Sequence, residues 1–388
     1  MNTIGVVGAG AMGSGIAQVA LSHGCRVILS DPAEGATARA RASIAAGLER
    51  DVEKGRLAVG GDLAAMSRLE TATDETSAAY RECDLVVEAA IERLNVKQAI
   101  FRALEEVVRP DCALATNTSS LSVTAIASAC SRPERVLGLH FFNPAPVMPL
   151  VEVIPGAQTS LEVVRAVRAV ADGWGKVTVL ASDTPGFIVN RVARPFYGES
   201  LCVLEEGVAD APTIDWAMRE LGGFRMGPFL LMDFIGHDVN HAVTESVWNA
   251  TYHDPRYRPS LTQRRLVEAG WLGRKSGRGF YDYHPDAPPR VANEDGEPGN
   301  AIVHRIVSML VNEAVDAVHW RIASAEDVDL AMTRGVNYPK GLLAWGNEIG
   351  LDRVLEEVDR LRAETGDPRY RASPLLRRMV RDGRRFFA

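Results

Sequence analysis

A histidine and a glutamate stand out in an almost wholly apolar stretch, LGLHFFNPAPVMPLVEVI, which runs from Leu137 to Ile154. Burying a neutral polar side chain without a partner costs roughly 2–7 kcal/mol, and an ion costs more. His140 and Glu152 are therefore either a structural pair that satisfies itself in a core, or a general base and the carboxylate that orients it. Histidine is the usual base because its pKa lies near the working pH.

A glycine loop near the amino terminus is the second candidate site. The segment IGVVGAGAMGSGIAQVA places Gly8, Gly10 and Gly13 in GxGxxG spacing, directly after a strand pattern and at the start of a helical pattern. Such glycines allow close backbone approach, and the helix start offers free N–H groups to a pyrophosphate; a turn with only a structural role is the alternative. Asp31 ends the next strand pattern, RVILSD, where a carboxylate can accept hydrogen bonds from a ribose diol. Because PAEGA rather than an arginine follows Asp31, the pattern predicts NAD and not NADP.

Strands and helices must position these residues. The first part of the chain alternates short β-branched runs with helical stretches, which indicates a doubly wound parallel sheet, an α/β Rossmann-like domain, over residues 1–183. His140 follows the strand pattern RVLGL and so falls at the carboxyl edge, where open α/β sheets bind their ligands. This position favours the catalytic interpretation. Glu152 could return to hydrogen-bond the other ring nitrogen, as the carboxylate of a catalytic triad does.

The rest of the chain predicts an all-α region made of two copies of one domain. Residues 188–236 align without gaps on residues 302–350, and 12 of the 49 aligned positions are identical. A stretch rich in Pro, Asp, Asn and Gly separates the copies and has the composition of a linker. The expected boundaries are 184–283 for the first helical domain, 284–300 for the linker and 301–388 for the second, duplicated domain.

Composition and charge exclude several classes of protein. The 388 residues are 46% hydrophobic and 24% charged, as in soluble globular proteins, and the net charge of −7 argues against a nucleic-acid partner. The five cysteines are scattered without metal-ligand spacing, so we expect no metal and reduced thiols in the cytoplasm. No apolar run approaches the roughly 20 residues of a membrane helix, and the initiator leads directly into a strand, so we expect no membrane association and no signal segment.

The sequence resembles the L-3-hydroxyacyl-CoA dehydrogenase family over nearly the whole chain. The resemblance rests on GAGAMGSGIA, VVEAAIERLNVKQAIF, TNTSSLS, GLHFFNPAPVMPLVEVI, DTPGFIVNRV and GRKSGRGFYDY, in the family's order and spacing. It implies oxidation of a 3-hydroxyacyl-CoA thioester by NAD, in fatty acid β-oxidation or phenylacetate catabolism, with His140 as the base and Glu152 as its partner. FIVNRVARPFY is similar to the bacterial enzymes of phenylacetate breakdown, whose substrate is 3-hydroxyadipyl-CoA.

The resemblance also implies roles for residues outside the pair. Ser119 and Asn190 would hydrogen-bond the hydroxyl and carbonyl region of the substrate, although Ser119 taken without its neighbours is better explained as a helix cap. Coenzyme A would lie across the cleft between the domains, with Lys54 and Arg56 as candidates for its phosphates, unless these two belong to a solvated helix face. The residues implied to line the cofactor or to support the loop beside it are Glu92, Lys97, Asn117 and Asn143.

Two other functions remain open from the sequence. A dehydrogenase of a free hydroxy acid such as L-gulonate would act on the free acid and not on CoA thioesters. A non-enzymatic NAD-binding protein would have lost members of the set His140, Glu152, Ser119 and Asn190, and all four are present. The β-hydroxyacid dehydrogenases with a lysine base are disfavoured, because the DTPGF region offers no lysine.

The duplicated helical domain predicts how the helical domains associate. Shorter members of the family dimerise through a single helical domain, so we expect the two copies here to form an internal pseudo-dimer, which still leaves room for a homodimer of whole chains. Asn190 aligns with His304, and no second glycine loop exists. We therefore expect one active site per chain.

Overall fold

The computed structural model describes residues 1–387. The chain forms two compact units, which meet in sequence between Phe187 and Ile188. The strands of the first unit are β1 (Thr3–Val7), β2 (Arg26–Ser30), β3 (Leu69–Ala72), β4 (Leu85–Glu88), β5 (Ala113–Thr116), β6 (Val136–Phe141), β7 (Leu150–Pro155) and β8 (Val177–Leu180). Its helices are α1 (Ala11–Ser22), α2 (Ala36–Glu53), α3 (Gly61–Met66), α4 (Leu94–Val107), α5 (Val123–Ala127) and α6 (Leu161–Gly173).

The strands form one sheet in the order β3-β2-β1-β4-β5-β6-β7-β8, which confirms the predicted doubly wound α/β fold. The central strands are apolar runs buried along their length, as expected where helices cover both faces. One apolar cluster includes residues of α1, α2 and α6, and another includes residues of α4 and α5. The sheet is therefore packed between two helical layers.

One strand departs from the parallel pattern. β7 runs antiparallel to β6, whereas the other neighbouring strands pair in parallel. The proline-rich connection NPAPVMP is too short for a helical crossover, which takes a dozen or more residues, so the chain folds straight back. The return strand sets His140 directly opposite Glu152 in the ladder.

The second unit is helical. Its helices are α7 (Val189–Val192), α8 (Arg194–Glu205), α9 (Ala211–Trp216), α10 (Pro228–Ile235), α11 (His237–Ala250), α12 (Leu261–Glu268), α13 (Gly296–His319), α14 (Ala325–Gly335), α15 (Leu342–Ile349), α16 (Leu351–Thr365) and α17 (Pro374–Arg381). None of the helices in the described part of the chain is long and apolar enough to cross a membrane.

Equivalent positions of the two copies make equivalent hydrogen bonds. The carboxylate of Asp215 accepts from the backbone N–H groups of Phe229 and Leu230, at 2.8 and 2.9 Å. Asp329, which aligns with Asp215, accepts in the same way from the backbone N–H groups at the start of α15, at 2.7 and 3.0 Å. The copies thus share this helix-start contact as well as sequence.

A helix spans the expected boundary between linker and second copy. The sequence analysis expects a linker over 284–300 and a second copy from 301, and α13 runs from Gly296 to His319. The side chain of Asp295 accepts from the backbone N–H of Glu297 and caps the helix. Gly299 of α13 packs closely on Trp216, and a Cβ at this position would lie 2.7 Å from the Trp216 ring. Glycine disfavours the helical conformation, but only glycine leaves room for this close contact.

Candidate active site

A buried histidine–carboxylate pair lies at the carboxyl end of β6. His140 is 6% exposed and Glu152 is fully buried. Nδ1 of His140 lies 2.7 Å from Oε2 of Glu152. Each side chain therefore satisfies the other, and the carboxylate fixes how the imidazole ring is oriented.

Aromatic rings enclose this imidazole. Its ring centroid lies 4.5 Å from that of Phe142 and 5.9 Å from that of Phe187. When Nδ1 carries the proton that Glu152 accepts, Nε2 keeps its lone pair. The pair can therefore take a proton at Nε2 while the imidazolium that forms remains beside a carboxylate.

A second cluster joins the ends of β4, β5 and β6. Oδ1 of Asn117 accepts from the backbone N–H of Phe141 at 2.8 Å, which ties the segment after β5 to the histidine strand. The carboxylate of Glu92 accepts from the hydroxyl of Thr118 at 2.7 Å and from the backbone N–H of Ser119 at 2.9 Å. These contacts hold Asn117 and Ser119 at the sheet edge where His140 lies.

The charge on Glu92 is stabilised within this cluster. Burial by itself raises the pKa of a carboxyl, but the Lys97 ammonium and the donors from Thr118 and Ser119 together hold the pKa of Glu92 below its usual value. Nζ of Lys97 lies 3.3 Å from Oε2 of Glu92. Glu92 is therefore an anion that can accept hydrogen bonds at neutral pH.

Lys97 lies deeper than the sequence implied. Its side chain is 1% exposed, and Nζ donates to both carboxylate oxygens of the fully buried Glu88, at 2.7 and 3.0 Å. Its ammonium is surrounded by protein acceptors, because a buried charge must be paired. In this structure Lys97 positions Glu88 and Glu92, and it presents almost no surface to a ligand.

Sequence reasoning missed several residues of this site. Glu88 also accepts from the hydroxyl of Thr116 at 2.7 Å, and the only sequence signal was a carboxylate ending the apolar run LVVE. The helix cap considered for Ser119 belongs to Ser122, whose hydroxyl accepts from the backbone N–H of Ala125. Asp183 also binds the start of this helix, accepting from the backbone N–H groups of Val123 and Thr124 at 2.9 and 2.7 Å.

The glycine loop has the backbone that a pyrophosphate requires. Gly8 has φ +101°, and a Cβ on Gly13 would meet the carbonyl oxygen of Gly8 at 1.8 Å, so neither position accepts a side chain. A Cβ on Gly10 would meet nothing within 4 Å, so this glycine opens onto free space. No side chain caps α1 at Gly10, which leaves N–H groups of the first turn for an anion. These residues fit NAD.

Asp31 is held in place at the end of β2. Its Oδ2 accepts from the backbone N–H of Ala9 at 2.8 Å, and its Oδ1 accepts from the backbone N–H of Ala33 at 2.9 Å. The carboxylate is thus bound to the glycine loop itself. It can still accept from a ribose diol, because each carboxylate oxygen has two lone pairs.

The remaining predicted residues lie on other elements of the chain. Asn143 is exposed after β6, and Asn190 lies in α7 of the second unit. Lys54 and Arg56 are exposed just past the end of α2, where Lys54 is the C-cap and Nε of Arg56 donates to Asp51 at 2.8 Å. Both basic groups remain accessible, but they lie beyond the regular helix in which the sequence placed them. Within residues 1–387 no cluster of three or more His, Cys, Asp or Glu side chains could hold a metal ion.

Comparison with known proteins identifies the family. The model of the 3-hydroxyacyl-CoA dehydrogenase NAD binding domain matches residues 3–184. The model of the C-terminal domain of the same family matches twice, at residues 186–283 and 302–385.

Individual relatives agree over most of the chain. The chain is 40% identical to a 3-hydroxyadipyl-CoA dehydrogenase of Escherichia coli K12, over 97% of each chain. It is 43% identical to a probable 3-hydroxybutyryl-CoA dehydrogenase of Deinococcus radiodurans, over 72% of this chain and 99% of that one. A crystal structure of a 3-hydroxybutyryl-CoA dehydrogenase from E. coli K12 matches with a TM-score of 0.91 and 40% identity, over 98% of each chain. The protein therefore belongs to the family of NAD-dependent 3-hydroxyacyl-CoA dehydrogenases.

Proposed function

We propose that the protein oxidises the 3-hydroxyl group of an L-3-hydroxyacyl-CoA thioester with NAD, and that His140 is the general base with Glu152 as its partner. One observation carries the assignment of the base: the buried 2.7 Å contact between Nδ1 of His140 and Glu152 at the carboxyl end of β6. A purely structural pair would need no position at the ligand-binding edge of the sheet.

Each residue of the proposed site has its own role in the oxidation. Bound NAD supplies the acceptor for the hydride that leaves C3. Nε2 of His140 removes the hydroxyl proton, so that the carbon–oxygen bond becomes a carbonyl, and Glu152 stabilises the imidazolium. Ser119, which lies at the same sheet edge as His140, would donate a neutral hydrogen bond to the reacting oxygen.

Steady-state kinetics test the proposal. We expect NAD-dependent turnover, measured as NADH absorbance, with a series of L-3-hydroxyacyl-CoA thioesters and not with free hydroxy acids. Turnover of a free acid such as L-gulonate without activity on any thioester would instead support the alternative dehydrogenase. Absence of turnover with both classes, in a protein that binds NAD, would support a non-enzymatic role.

Replacing Asp31 by Ser should change cofactor choice. The variant loses the carboxylate that accepts from the ribose and repels a 2′-phosphate, so we expect kcat/KM for NAD to fall by about 10- to 100-fold and the preference for NAD over NADP to shrink. Asp31→Asn is the matched control, because it can still accept from the N–H of Ala9 while removing only the charge. A wild-type enzyme that used NADP as well as NAD would contradict the ribose assignment.

We further propose that the two helical copies form an internal pseudo-dimer. Nε of Arg191 donates to Glu313 at 2.8 Å, and Nε of Arg305 donates to Glu199 at 2.6 Å. Arg305 aligns with Arg191 and Glu313 aligns with Glu199, so the copies exchange one pair of contacts reciprocally. Such exchange is what a two-fold interface between identical domains produces.

The location and the coenzyme A contacts are further parts of the proposal. The five cysteines are free thiols, as in proteins of a reducing compartment, which supports a cytoplasmic location. Lys54 and Arg56 keep exposed positive charge for the phosphates of coenzyme A.

A further inference from the structure

One lysine of the first unit has no counter-charge. Lys176 immediately precedes β8, is half-buried, and forms no ion pair with any carboxylate in residues 1–387. Burial lowers the pKa of its ammonium to about 8. At pH 7.5 about a quarter of the side chains with such a pKa are neutral amines, compared with roughly one in a thousand for an ordinary lysine. Lys176 can therefore act as a nucleophile near neutral pH.

The other lysines of the chain have different surroundings. The chain has five lysines, and three of the other four pair with carboxylates, which favour the ammonium form without a lone pair. Lys54 is exposed past the end of α2. Lys176 thus differs from the others in being both half-buried and unpaired. The three pairs are Lys97 with Glu88 at 2.7 Å, Lys275 with Asp238 at 2.5 Å, and Lys340 with Glu348.

Two hydrogen bonds fix the nitrogen of Lys176 and leave one of its positions unused. Nζ donates to the carbonyl oxygen of Ala145 at 2.6 Å and to that of Met148 at 2.9 Å, both in the connection between β6 and β7. A neutral amine has two N–H groups, which is the number that these bonds require, so loss of the third proton costs no contact. The lone pair then occupies the remaining tetrahedral position, away from both carbonyls.

A cavity of about 280 Å³ lies beside this amine. Its lining includes the apolar side chains of Leu57, Pro149 and Trp174 as well as Lys176 itself. Val147 also lines the cavity and is 67% exposed, so the cavity is reached from the surface. The volume is that of about nine water molecules, which is enough for a short acyl chain.

The charged groups of the cavity favour an anionic reagent. Arg56 lines it with 54% of its side chain exposed, and a guanidinium stays charged at neutral pH. Asp51 is the only carboxylate among the described residues that line the cavity, and it already accepts from Nε of Arg56 and from Nε2 of Gln18, both at 2.8 Å. His23 adds another basic side chain. CoA thioesters carry several phosphate charges, and the family to which this chain belongs acts on such thioesters.

We propose that Lys176 is acylated on Nζ by CoA thioesters with short acyl groups. The amine lone pair attacks the thioester carbonyl carbon, an amide bond forms, and the carbon–sulfur bond breaks. Coenzyme A leaves as a thiolate and takes up the proton that the nitrogen loses, so the reaction needs neither an oxidant nor a reductant. The amide keeps a single N–H, so the modification breaks the contact with Ala145 or with Met148.

Peptide mapping by mass spectrometry tests the proposal in the full-length protein. The protein is incubated with acetyl-CoA at pH 8 without NAD, and acetylation is followed over time at each of the five lysines. We expect Lys176 to react about 10- to 100-fold faster than any other lysine, because more of it is neutral. Equal rates at all exposed lysines, a faster reaction at Lys54, or an unmodified Lys176 would each overturn the proposal. The reaction needs no hydride transfer, so these outcomes do not depend on the proposed dehydrogenation.

Substitutions separate the site from general reactivity of the surface. Lys176→Arg can still donate to the two carbonyls but cannot form the amide, so we expect acetyl uptake to fall to the sum of the other four lysines. Lys340→Arg, at an exposed lysine of the second unit, is the matched control and should leave the rate at Lys176 unchanged.

A variant of Arg56 tests whether CoA is the reagent that the cavity favours. Arg56→Gln should slow the reaction of Lys176 with acetyl-CoA several-fold, because the attraction to the phosphates is lost, and should leave its reaction with neutral acetic anhydride unchanged. Equal rates of wild type and Arg56→Gln with acetyl-CoA would overturn the assignment of CoA thioesters as the reagent.

Discussion

Replacing His140 by Gln is expected to lower kcat by about 10²- to 10⁴-fold, the range of a positioned acid–base group, with little change in the affinity for NAD. Glutamine can still hydrogen-bond Glu152 but cannot accept the hydroxyl proton at working pH. Hydride transfer from C3 is then slow, because no base removes the proton from the hydroxyl on the same carbon. Steady-state kinetics with a 3-hydroxyacyl-CoA and equilibrium binding of NAD measure the two quantities separately.

The control for this variant is another histidine of the first unit. His23 is exposed at the end of α1, where its Nδ1 lies 2.8 Å from the carbonyl oxygen of Val19. His23→Gln should keep wild-type kinetics. Turnover close to normal in a folded His140→Gln enzyme would remove His140 from the mechanism and leave the His140–Glu152 pair with a structural role.

The position of the His140–Glu152 pair could be predicted, but the route of the chain between them was only partly evident. The apolar run before His140 indicated a strand end, and a carboxylate within the apolar run PLVEVI required a partner. The antiparallel return of β7 was not predicted, although the eight residues between β6 and β7 are too few for a parallel crossover. Its register, with His140 opposite Glu152, depends on packing that no local pattern records.

The Glu88–Lys97 pair shows what local patterns cannot reveal. Glu88 ends a strand and Lys97 lies on the buried side of α4, so the contact joins two elements whose relative placement is set by the core. From the sequence, Lys97 on an amphipathic helix is equally compatible with a solvent-exposed position. The buried pair of Arg191 and Glu313 was also invisible, because these two residues lie 122 positions apart in the sequence and no local pattern records their contact.

The largest structural effect is expected from removing the second helical copy. Deleting residues 284–388 removes α13, much of whose length is buried, and takes Glu313 from Arg191 and Arg256. Breaking a buried ion pair by removing one partner costs about 3–5 kcal/mol, and the apolar face of the first copy becomes exposed as well. We expect the shortened chain either to aggregate or to dimerise through its remaining helical domain, and light scattering distinguishes both from a monomer.

The reciprocal ion pairs between the two copies predict which contacts would hold such a dimer together. In two shortened chains, Arg191 of one can pair with Glu199 of the other, as Arg191 pairs with Glu313 and Arg305 with Glu199 in the full chain. Arg191→Glu in the shortened chain would set carboxylates against each other and should abolish the dimer, whereas adding Glu199→Arg exchanges the charges and should restore it. A shortened chain that remained monomeric, soluble and as heat-stable as the full protein would refute the pseudo-dimer. The first copy would then have no apolar face that the second copy has to cover.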